Sequence, residues 1–437
     1  MSELEMTEPA ATVTETARRV QARLAARYAA EKRFRLYGIA AIGLALFMLV
    51  ALFGSIIGRG WSAFGQTMLT LEVTLDPAVI DPDGRREPSA LASADYQGLI
   101  KTALGTLFPE VTDRQQRRQL FELASSGASF RLRDLVVETP ALIGSTVTVR
   151  VPARDTVDQY VKGHILASTP ESARRISDRQ IAWVESLREK GLLERRFNTI
   201  LFTAGDSREP ELAGLWAAVS GSFFVMVVTL ALSFPTGVAA AVYLEEFAPK
   251  NRLTDIIEVN INNLAAVPSV VFGLLGLSLF LGWFGLPRSS PLVGGLVLAL
   301  IILPTIIIAG RAALTAVPPS IREAALGIGA SRMQTVTHHV LPLAMPGILT
   351  GTIIGMARAL GESAPLLMIG MVAFVVDVPR TPLDPATVLP VQIYLWADSA
   401  ERAFVERTSA AIMVLLVFLI AMNALAVLLR RKFERRW

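Results

Sequence analysis

The chain of 437 residues carries 42 Lys and Arg against 38 Asp and Glu, a formal net charge of +4, and 52% of it is hydrophobic while 18% is charged. Average globular proteins are about a quarter charged, so this composition favours a membrane protein. The absence of cysteine excludes a disulfide scaffold, a cysteine zinc site, an iron–sulfur cluster and a thiol nucleophile, and three histidines leave little material for a metal site. We therefore expect neither a metal site nor a redox enzyme.

The first 36 residues form a basic arm with seven Lys and Arg. Helix-forming composition with spaced arginines over 14–35 predicts a solvated or lipid-surface helix, because anionic headgroups attract such a segment. Contact with a partner is the other interpretation. The charge-free segment 37–58 follows, and it is long enough to be a first transmembrane helix. A signal peptide does not fit, since its basic region would be 36 residues long.

Residues 59–211 have a soluble composition and are numerous enough to form a domain of their own. Alternating apolar residues predict strands over 68–75, 145–151 and 197–202, and helical patterns cover 96–107, 113–123 and 178–189. We expect a small α+β domain between the first two membrane spans. No catalytic cluster is apparent: His164 stands alone, and we interpret it as a surface or packing residue, while Ser125, Ser126 and Ser129 have no visible His–Asp partners.

Residues 212–437 contain the further apolar runs 212–244, 259–287, 289–310, 340–376 and 408–429, which gives six predicted spans in all. Lys and Arg concentrate on the cytoplasmic side of membrane proteins. Both the N-terminal arm and the tail 430–437 are basic, so both termini are predicted to be cytoplasmic and 59–211 extracytoplasmic. One inner loop, 245–258, is net acidic but contains Lys250 and Arg252. The predicted fold is an all-α polytopic membrane protein with an α+β insertion after helix 1.

The cytoplasmic loop 316–342 predicts two short helices with a glycine bend. Ser320 with Glu323, and Ser331 with Gln334, have capping-box spacing. Gly327 and Gly329 are expected to close the first helix, and Pro342 to stop the second. The first helix would expose a small apolar face suited to docking in a partner's groove, made of Ile321, Ala324, Ala325 and Ile328. A simple connector between two spans is an equal alternative on physical grounds.

Arg358 and Glu362 lie within the fifth span, four residues apart, which places them on one helix face near the middle of the membrane. Pro365 would loosen the helix beside them. Arginine offers a planar donor fork to an oxyanion, so the pair predicts an anion pathway. An ion pair that only fixes helix packing is the alternative. Arg311, at the inner end of the fourth span, is expected to reach the lipid headgroups or to line the inner mouth of the pathway.

The sequence Glu323-Ala324-Ala325, followed at fixed spacing by Gly329 and then by Leu-Pro at 341–342, resembles the EAA loop of ABC-importer permeases; His339 stands where that family has isoleucine. The resemblance implies the type I ABC-importer permease fold. It also implies docking on a separate ATPase subunit through Glu323, Ala324, Ala325, Gly327 and Gly329. The chain itself has no Gly-x4-Gly-Lys-Ser/Thr motif for binding ATP phosphates.

The stretches ARALGESAPLL at 357–367 and LPVQIYLWA at 389–397 resemble the phosphate-specific permeases of the Pst system, the A-type subunit in particular. The resemblance covers about 212–437, and the insertion 59–211 is similar to that of long-form members. It implies a non-catalytic subunit of an inner-membrane phosphate importer, without a cofactor of its own. Its implied partners are a C-type permease subunit, an ATP-binding subunit dimer, a periplasmic phosphate-binding protein and membrane lipid, with no nucleic acid.

Three alternatives remain open from the sequence. The first is a permease for another oxyanion, such as sulfate or molybdate, which the 357–367 segment disfavours. The second is a secondary transporter, which the EAA loop disfavours. The third is a membrane-anchored sensor, against which the five further spans count.

Overall fold

The computed structural model describes residues 10–371 and 374–433. The predictions that fall on 1–9, 372–373 and 434–437 lie outside these residues. The chain divides into two compact units, Met1–Gly58 and Arg59–Trp437. The described residues of the first unit all lie in one long helix, α1 (Ala10–Gly60), which covers most of the predicted arm and the whole predicted first span. From position 37 to 54 its side chains are exposed, as expected of an apolar helix that meets lipid.

The segment after α1 folds as the predicted α+β domain. Its sheet has the order β2-β1-β3, and β1 (Gly65–Thr74) pairs antiparallel with β2 (Thr146–Pro152) and β3 (Leu193–Phe197). Along β1, Leu69, Leu71 and Val73 are fully buried while the residues between them face outward, which is the alternation of a half-buried strand. The helices are α2 (Pro77–Ile80), α3 (Pro88–Ser93), α4 (Tyr96–Leu107), α5 (Arg114–Phe121), α6 (Gly127–Glu138), α7 (Asp155–Val161), α8 (Asp178–Glu189) and α9 (Ile200–Thr203).

The third strand was predicted wrongly at 197–202. The strand β3 shares only Phe197 with that segment, and 200–203 form the short helix α9. β3 is an exposed edge strand that carries Glu194, Arg195 and Arg196. Charges at a sheet edge discourage pairing with other chains. The three charged residues also leave β3 without the alternation of apolar and polar residues from which a strand is predicted.

The membrane part is built on α10 (Trp216–Val242), α13 (Pro291–Thr315), α16 (Leu341–Leu360) and α19 (Ala403–Phe433). In the described part of the chain, five helices are long and apolar enough to cross a membrane, or six if one bent pair counts as a span. α10 and α13 run parallel, since Gly295 meets Val228 and Gly310 meets Ala241. α16 runs antiparallel to α13, since Gly347 packs on Ala313 and Gly351 on Ala309. Small residues let these helices approach closely, and such close packing stabilises their association in a membrane, where the hydrophobic effect does not favour contact between helices.

The predicted third span is bent, not straight. α11 (Arg252–Ala265) is followed by α12 (Ser269–Gly276) and a π-helical extension to Trp283, and the two parts meet at 100°. Pro268 lies between them, and its ring and missing N–H stop the first helix. Only the second part has the continuous apolar composition that the prediction assigned to the whole segment.

The loop after α13 contains two short helices, α14 (Pro319–Gly327) and α15 (Arg332–Gln334). The capping box of Ser331 and Gln334 is confirmed, but that of Ser320 and Glu323 is wrong, because Pro318 takes the cap position and Ser320 is already helical. Pro342 does not stop the second helix. A π-helical turn, Thr335–Val340, carries it into α16, and the wider turn keeps the preceding carbonyls from the proline ring.

The fifth span ends earlier than predicted. α16 stops at Leu360, so Glu362 lies just beyond the helix that carries Arg358. A short helix α17 (Ala364–Met368), with Pro365 in its first turn, and an irregular stretch replace the expected continuation to 376. α18 (Leu389–Ala397) then precedes α19. The helix α16 ends before Gly361, since glycine is a poor helix former, and Pro365 lies in the first turn of the next helix, where its missing N–H costs no helical hydrogen bond.

Candidate functional site

The α+β domain of residues 59–211, called the outer domain below, and the loop that contains α14 lie at opposite ends of α10. The amide of Trp216 at its start donates to the carbonyl of Ala204 in the outer domain, over 3.1 Å. At its other end the chain continues as a π-helical turn, Tyr243–Phe247, whose Glu246 bonds Arg322 of α14. A helix of 27 residues is about 40 Å long. The two regions therefore lie on opposite faces of a membrane that α10 crosses.

The coupling segment, residues 316–342, presents an apolar tip. Ile328 is 81% exposed, and Leu326 and Met333 are also exposed. Glu323, Ala324, Gly327 and Gly329 are exposed beside them, and Gly329 has φ +89°, a left-handed conformation that glycine adopts without strain. Ala325 differs: it is only 4% exposed and faces inward. Of the predicted docking residues, it alone has no surface to offer.

Arg322 anchors the coupling segment to the membrane helices, and sequence reasoning missed it. Its Nη2 lies 2.6 Å from Oε1 of Glu246, and its guanidinium also donates to the carbonyls of Val317 and Leu314, over 2.7 Å and 3.0 Å. The sequence feature that could have indicated this contact is the acidic pair Glu245-Glu246, which lies in a loop where positive charge was expected. The partner could not be identified, because 76 residues separate the two side chains.

Arg311 is held by carboxylates. Its Nη2 lies 2.8 Å from Oε1 of Glu258 on α11, and its Nε lies 3.4 Å from Oε2 of Glu245. A guanidinium with two carboxylate partners is not free to reach for headgroups, so the headgroup interpretation is not supported. Arg311 also lies near the inner end of α13, about two turns beyond the level of Arg358. The structure does not bring these two arginines together.

Arg358 and Glu362 are in contact, with Nε 3.7 Å from Oε1. Gly355, one turn before Arg358, packs on Ile302 and Thr305, at the midpoint of α13. Arg358 therefore lies close to the level of the midpoint of α13. Its side chain is 52% exposed and that of Glu362 is 20% exposed, so this surface of the chain offers a cation that Glu362 only partly neutralises. A planar donor fork in that position can bind an oxyanion.

On the outer side, buried charges join the outer domain to α19. Lys162 lies 2.7 Å from Asp158 and 2.8 Å from Glu406, and all three side chains are almost completely buried. His164 was predicted to be a surface or packing residue. Its Nε2 lies 3.1 Å from the hydroxyl of Ser62, which agrees with a packing residue. Trp396 donates from its indole to Asp206, over 2.9 Å. The outer domain is thus fixed to the membrane core by polar contacts as well as by apolar packing.

Glu211 lies at the junction between the outer domain and α10. Burial raises the pKa of this carboxyl to about 7, and the nearby Asp155 and Glu209 add to the effect, while hydrogen bonds from its backbone and from Ser125 oppose it. Burial likewise raises the pKa of Asp155. No group of three or more His, Cys, Asp or Glu side chains suited to a metal ion occurs among residues 10–371 and 374–433.

Comparisons with known proteins cover both halves of the chain. The family model described as "Domain of unknown function (DUF3333)" matches residues 21–171, and that described as "Binding-protein-dependent transport system inner membrane component" matches residues 233–437. The phosphate transport system permease protein PstA 1 of Mycobacterium tuberculosis is 31% identical over 254 residues, which are 58% of this chain and 77% of that protein.

Two further similarities are more limited. The probable ABC transporter permease protein YqgI of Bacillus subtilis is 35% identical over 158 residues, 35% of this chain, so the chain spans about half (52%) of that relative's length. Among solved structures, the MetNI methionine ABC transporter in inward-facing conformations is 19% identical, with a TM-score of 0.42 over 51% of this chain and 98% of that chain.

The family model over residues 233–437 and the 31% identical PstA 1 protein define the class of this protein: it is an inner-membrane permease subunit of the ABC-importer type. The glycine-packed helices agree with that class. Within that class, the chain belongs to the PstA family of phosphate transport system permease proteins, in a form with an additional N-terminal domain. The resemblance inferred from the sequence is confirmed.

Proposed function

We propose that the chain is the membrane-spanning permease subunit of an ATP-driven importer, and that it translocates inorganic phosphate. The observation that carries the proposal is the apolar tip at Ile328, held by Arg322 on the membrane face opposite the outer domain. Such an exposed, well-anchored apolar tip suits docking to a partner protein. Relatives about 30% identical are phosphate transport permeases, which favours phosphate over other oxyanions.

ATP is bound by a separate subunit in this proposal, and the chain needs no cofactor of its own. The tip of the coupling segment, with Glu323, Ala324, Gly327 and Gly329 around it, docks on a dimer of ATP-binding subunits. A C-type permease covers the half-exposed face of α16 around Arg358. A periplasmic phosphate-binding protein delivers the substrate to the outer side, and no nucleic acid takes part.

The phosphate pathway passes Arg358 and Glu362 in this proposal, and Arg311 lies at its inner mouth. A charged side chain at membrane depth is costly unless it faces a wet cavity or protein. Because Arg358 is half exposed on the single chain, its most favourable surroundings are a pathway between this chain and the second permease. Glu362 limits the net positive charge, so that phosphate is bound weakly enough to leave.

The substrate and energy source are tested by uptake into proteoliposomes that contain the chain, its second permease and the ATPase, with the carrier protein outside. We expect radiolabelled phosphate to enter only when hydrolysable ATP is inside, and unlabelled sulfate or molybdate not to compete. Competition by sulfate or molybdate would favour the other oxyanion permease. Uptake driven by an ion gradient without the ATPase would favour a secondary transporter.

The orientation is tested by labelling single cysteines in this otherwise cysteine-free chain. With both termini cytoplasmic, a membrane-impermeant maleimide added to sealed spheroplasts should label Glu138→Cys in the outer domain. It should spare Glu31→Cys in the arm and Lys432→Cys in the tail until the membrane is opened. Labelling of the arm or the tail in sealed cells would contradict this topology.

A further inference from the structure

Two arginines and three glutamates form a charge network at the inner end of the membrane helices. It consists of Arg311, Arg322, Glu245, Glu246 and Glu258, which come from four helical elements. Arg322 lies on α14, Arg311 on α13 and Glu258 on α11, and the two remaining glutamates lie in the turn that ends α10. Apart from the place of Arg311 at the inner mouth of the proposed pathway, no transport role suggested above involves this network. It therefore calls for an explanation of its own.

The link between Arg322 and Glu246 is the best-formed part of the network. Both Nε and Nη2 of Arg322 donate to Oε1 of Glu246, over 3.2 Å and 2.6 Å. Charge-assisted bonds with two donors from one planar group fix orientation as well as distance. Glu246 is 11% exposed, so its carboxylate depends on this partner in place of water.

The same guanidinium also closes the end of α13. Leu314 and Val317 lie at and just beyond the last turn of that helix, where carbonyls have no amide four residues further on to accept from. The carbonyl of Leu314 accepts from the amide of Val317 as well, over 3.1 Å. Arg322 donates to both carbonyls. One side chain thus joins the coupling segment to the inner ends of two transmembrane helices, and these two helices are packed along their length through glycines.

A π-helical turn makes both links possible. Tyr243–Phe247 follows α10, and its adjacent residues Glu245 and Glu246 reach different arginines, Arg311 and Arg322. Turns of this kind are rare and are frequent at functional sites. Arg311 then continues the connection from α13 to α11 through Glu258.

We propose that Arg322 and Glu246 form a strut that makes α14 move as one body with the inner ends of α10 and α13. Arg322 is a positioning residue: it touches neither ATP nor phosphate, and it transmits a displacement of the docked tip to the helices that line the pathway. Without the strut, α14 can follow its partner while the membrane helices stay in place. This inference rests on the proposed function.

The first test is a double-mutant cycle of Arg322→Gln and Glu246→Gln in the reconstituted importer. Each single change should leave the ATPase bound and ATP hydrolysis near the wild-type rate. The phosphate moved per ATP hydrolysed should fall about tenfold, in the range of ordinary allosteric couplings. The double variant should lose no more than either single one, because both remove the same link. Arg252→Gln, at the exposed start of α11, is the matched control and should be unchanged.

The second test replaces the charges by a tether. The chain has no cysteine, so Glu246→Cys with Arg322→Cys gives two unique thiols. The double variant should be uncoupled, and a short homobifunctional thiol reagent should restore the phosphate moved per ATP. A reagent that blocks the two thiols without joining them should not. Restoration by a neutral tether would separate a mechanical role from a purely electrostatic one.

Three results would overturn the strut: additive losses in the cycle, loss of the bound ATPase together with hydrolysis, or a tethered variant as uncoupled as the untethered one. Failure of the proposed function is a separate result, since it would appear in the wild-type chain as absent ATP-driven phosphate uptake. In that case the strut is tested with any substrate that the wild-type complex does transport, and the quantity measured is again the substrate moved per ATP hydrolysed.

Discussion

At the scale of single residues, the exposure of Arg358 separates it from Arg311 and Arg322. Arg311 and Arg322 are each held by carboxylates at 2.8 Å or less, whereas Arg358 approaches Glu362 only to 3.7 Å and remains half exposed. A pair that served only to fix helix packing would be expected to lie inside the chain. The geometry favours a cation that is available to a ligand or to a facing subunit.

The double substitution Arg358→Met with Glu362→Met distinguishes the two roles. Apolar replacement of a structural ion pair is often tolerated, so a purely structural pair predicts normal uptake. Since we assign the pair to the pathway, we expect the double variant to insert, assemble and hydrolyse ATP, while radiolabelled phosphate uptake falls to background. Ile354→Met, an exposed position one turn earlier on α16, is the control and should transport normally. Wild-type uptake by the double variant would remove this site from the mechanism.

Glu211 predicts a pH dependence of stability. The pKa of its carboxyl is about 7 in the folded chain, against an ordinary value of 4.5, because it is buried. Between these values the folded chain holds a proton that the unfolded chain has released. The free energy of unfolding contributed by this group therefore falls as pH rises from 4.5 to 7, by roughly 3 kcal/mol in all, and changes no further above 7.

Glu211→Gln should remove this contribution. The midpoint of thermal unfolding in detergent, followed by tryptophan fluorescence between pH 4.5 and 7.5, should decline less steeply in the variant than in the wild-type chain. Near pH 7.5 the variant should be the more stable of the two. Glu87→Gln, an exposed carboxylate of the same domain, should follow the wild-type curve. Parallel curves for Glu211→Gln and wild type would show that this carboxyl is ionised in the folded chain.

At the scale of elements, glycine contacts set the spacing of α13 and α16. A methyl group added at Gly351 would overlap the Cβ of Ala309. Gly351→Ala should therefore destabilise the chain by about 1–3 kcal/mol, a usual cost of overpacking. Adding Ala309→Gly moves the methyl group to the other helix and should restore the thermal midpoint. Gly105→Ala, where nothing lies within 4 Å, is the control. A Gly351→Ala chain as stable as wild type would mean that these helices separate easily.

Local patterns predicted the elements whose causes are local. The periodicity over 96–107 and 178–189 gave α4 and α8 with the bounds that the structure has, because each helix has an apolar face and a polar cap at its start. The capping box that Ser331 and Gln334 form at the start of α15 was also predicted from the sequence. Errors arose where tertiary structure overrides the pattern: the bend at Pro268, the π-helical turn before Pro342 and the charged edge strand β3.

The site was predictable in its positions but not in its connections. Spacing predicted the contact between Arg358 and Glu362 and the exposure of Ala324 and Ile328, whereas Ile321 and Ala325, which were also predicted to be exposed, are not. The burial of Ala325 and the bond from Arg322 to Glu246 depend on how α14 packs against α10 and α13. A single sequence gives no measure of that packing.

At the scale of the whole molecule, the outer domain is tied to the membrane core it precedes. Lys162 is shared by Asp158 of the domain and Glu406 of α19, and breaking a buried pair by removing one partner costs about 3–5 kcal/mol. The domain thus moves with the core instead of hanging from it on a linker. The opposite end of the core carries the coupling segment and the proposed strut.

The central claim is that this chain couples a docked ATPase to phosphate movement through the tip at Ile328. The most direct measurement is ATP-driven uptake of radiolabelled phosphate by reconstituted importer that contains Ile328→Asp, with Leu166→Asp, an exposed leucine of the outer domain, as the control. The account predicts that Ile328→Asp inserts normally but no longer retains the ATPase and imports no phosphate, while the control imports like wild type. Wild-type uptake by Ile328→Asp would contradict it.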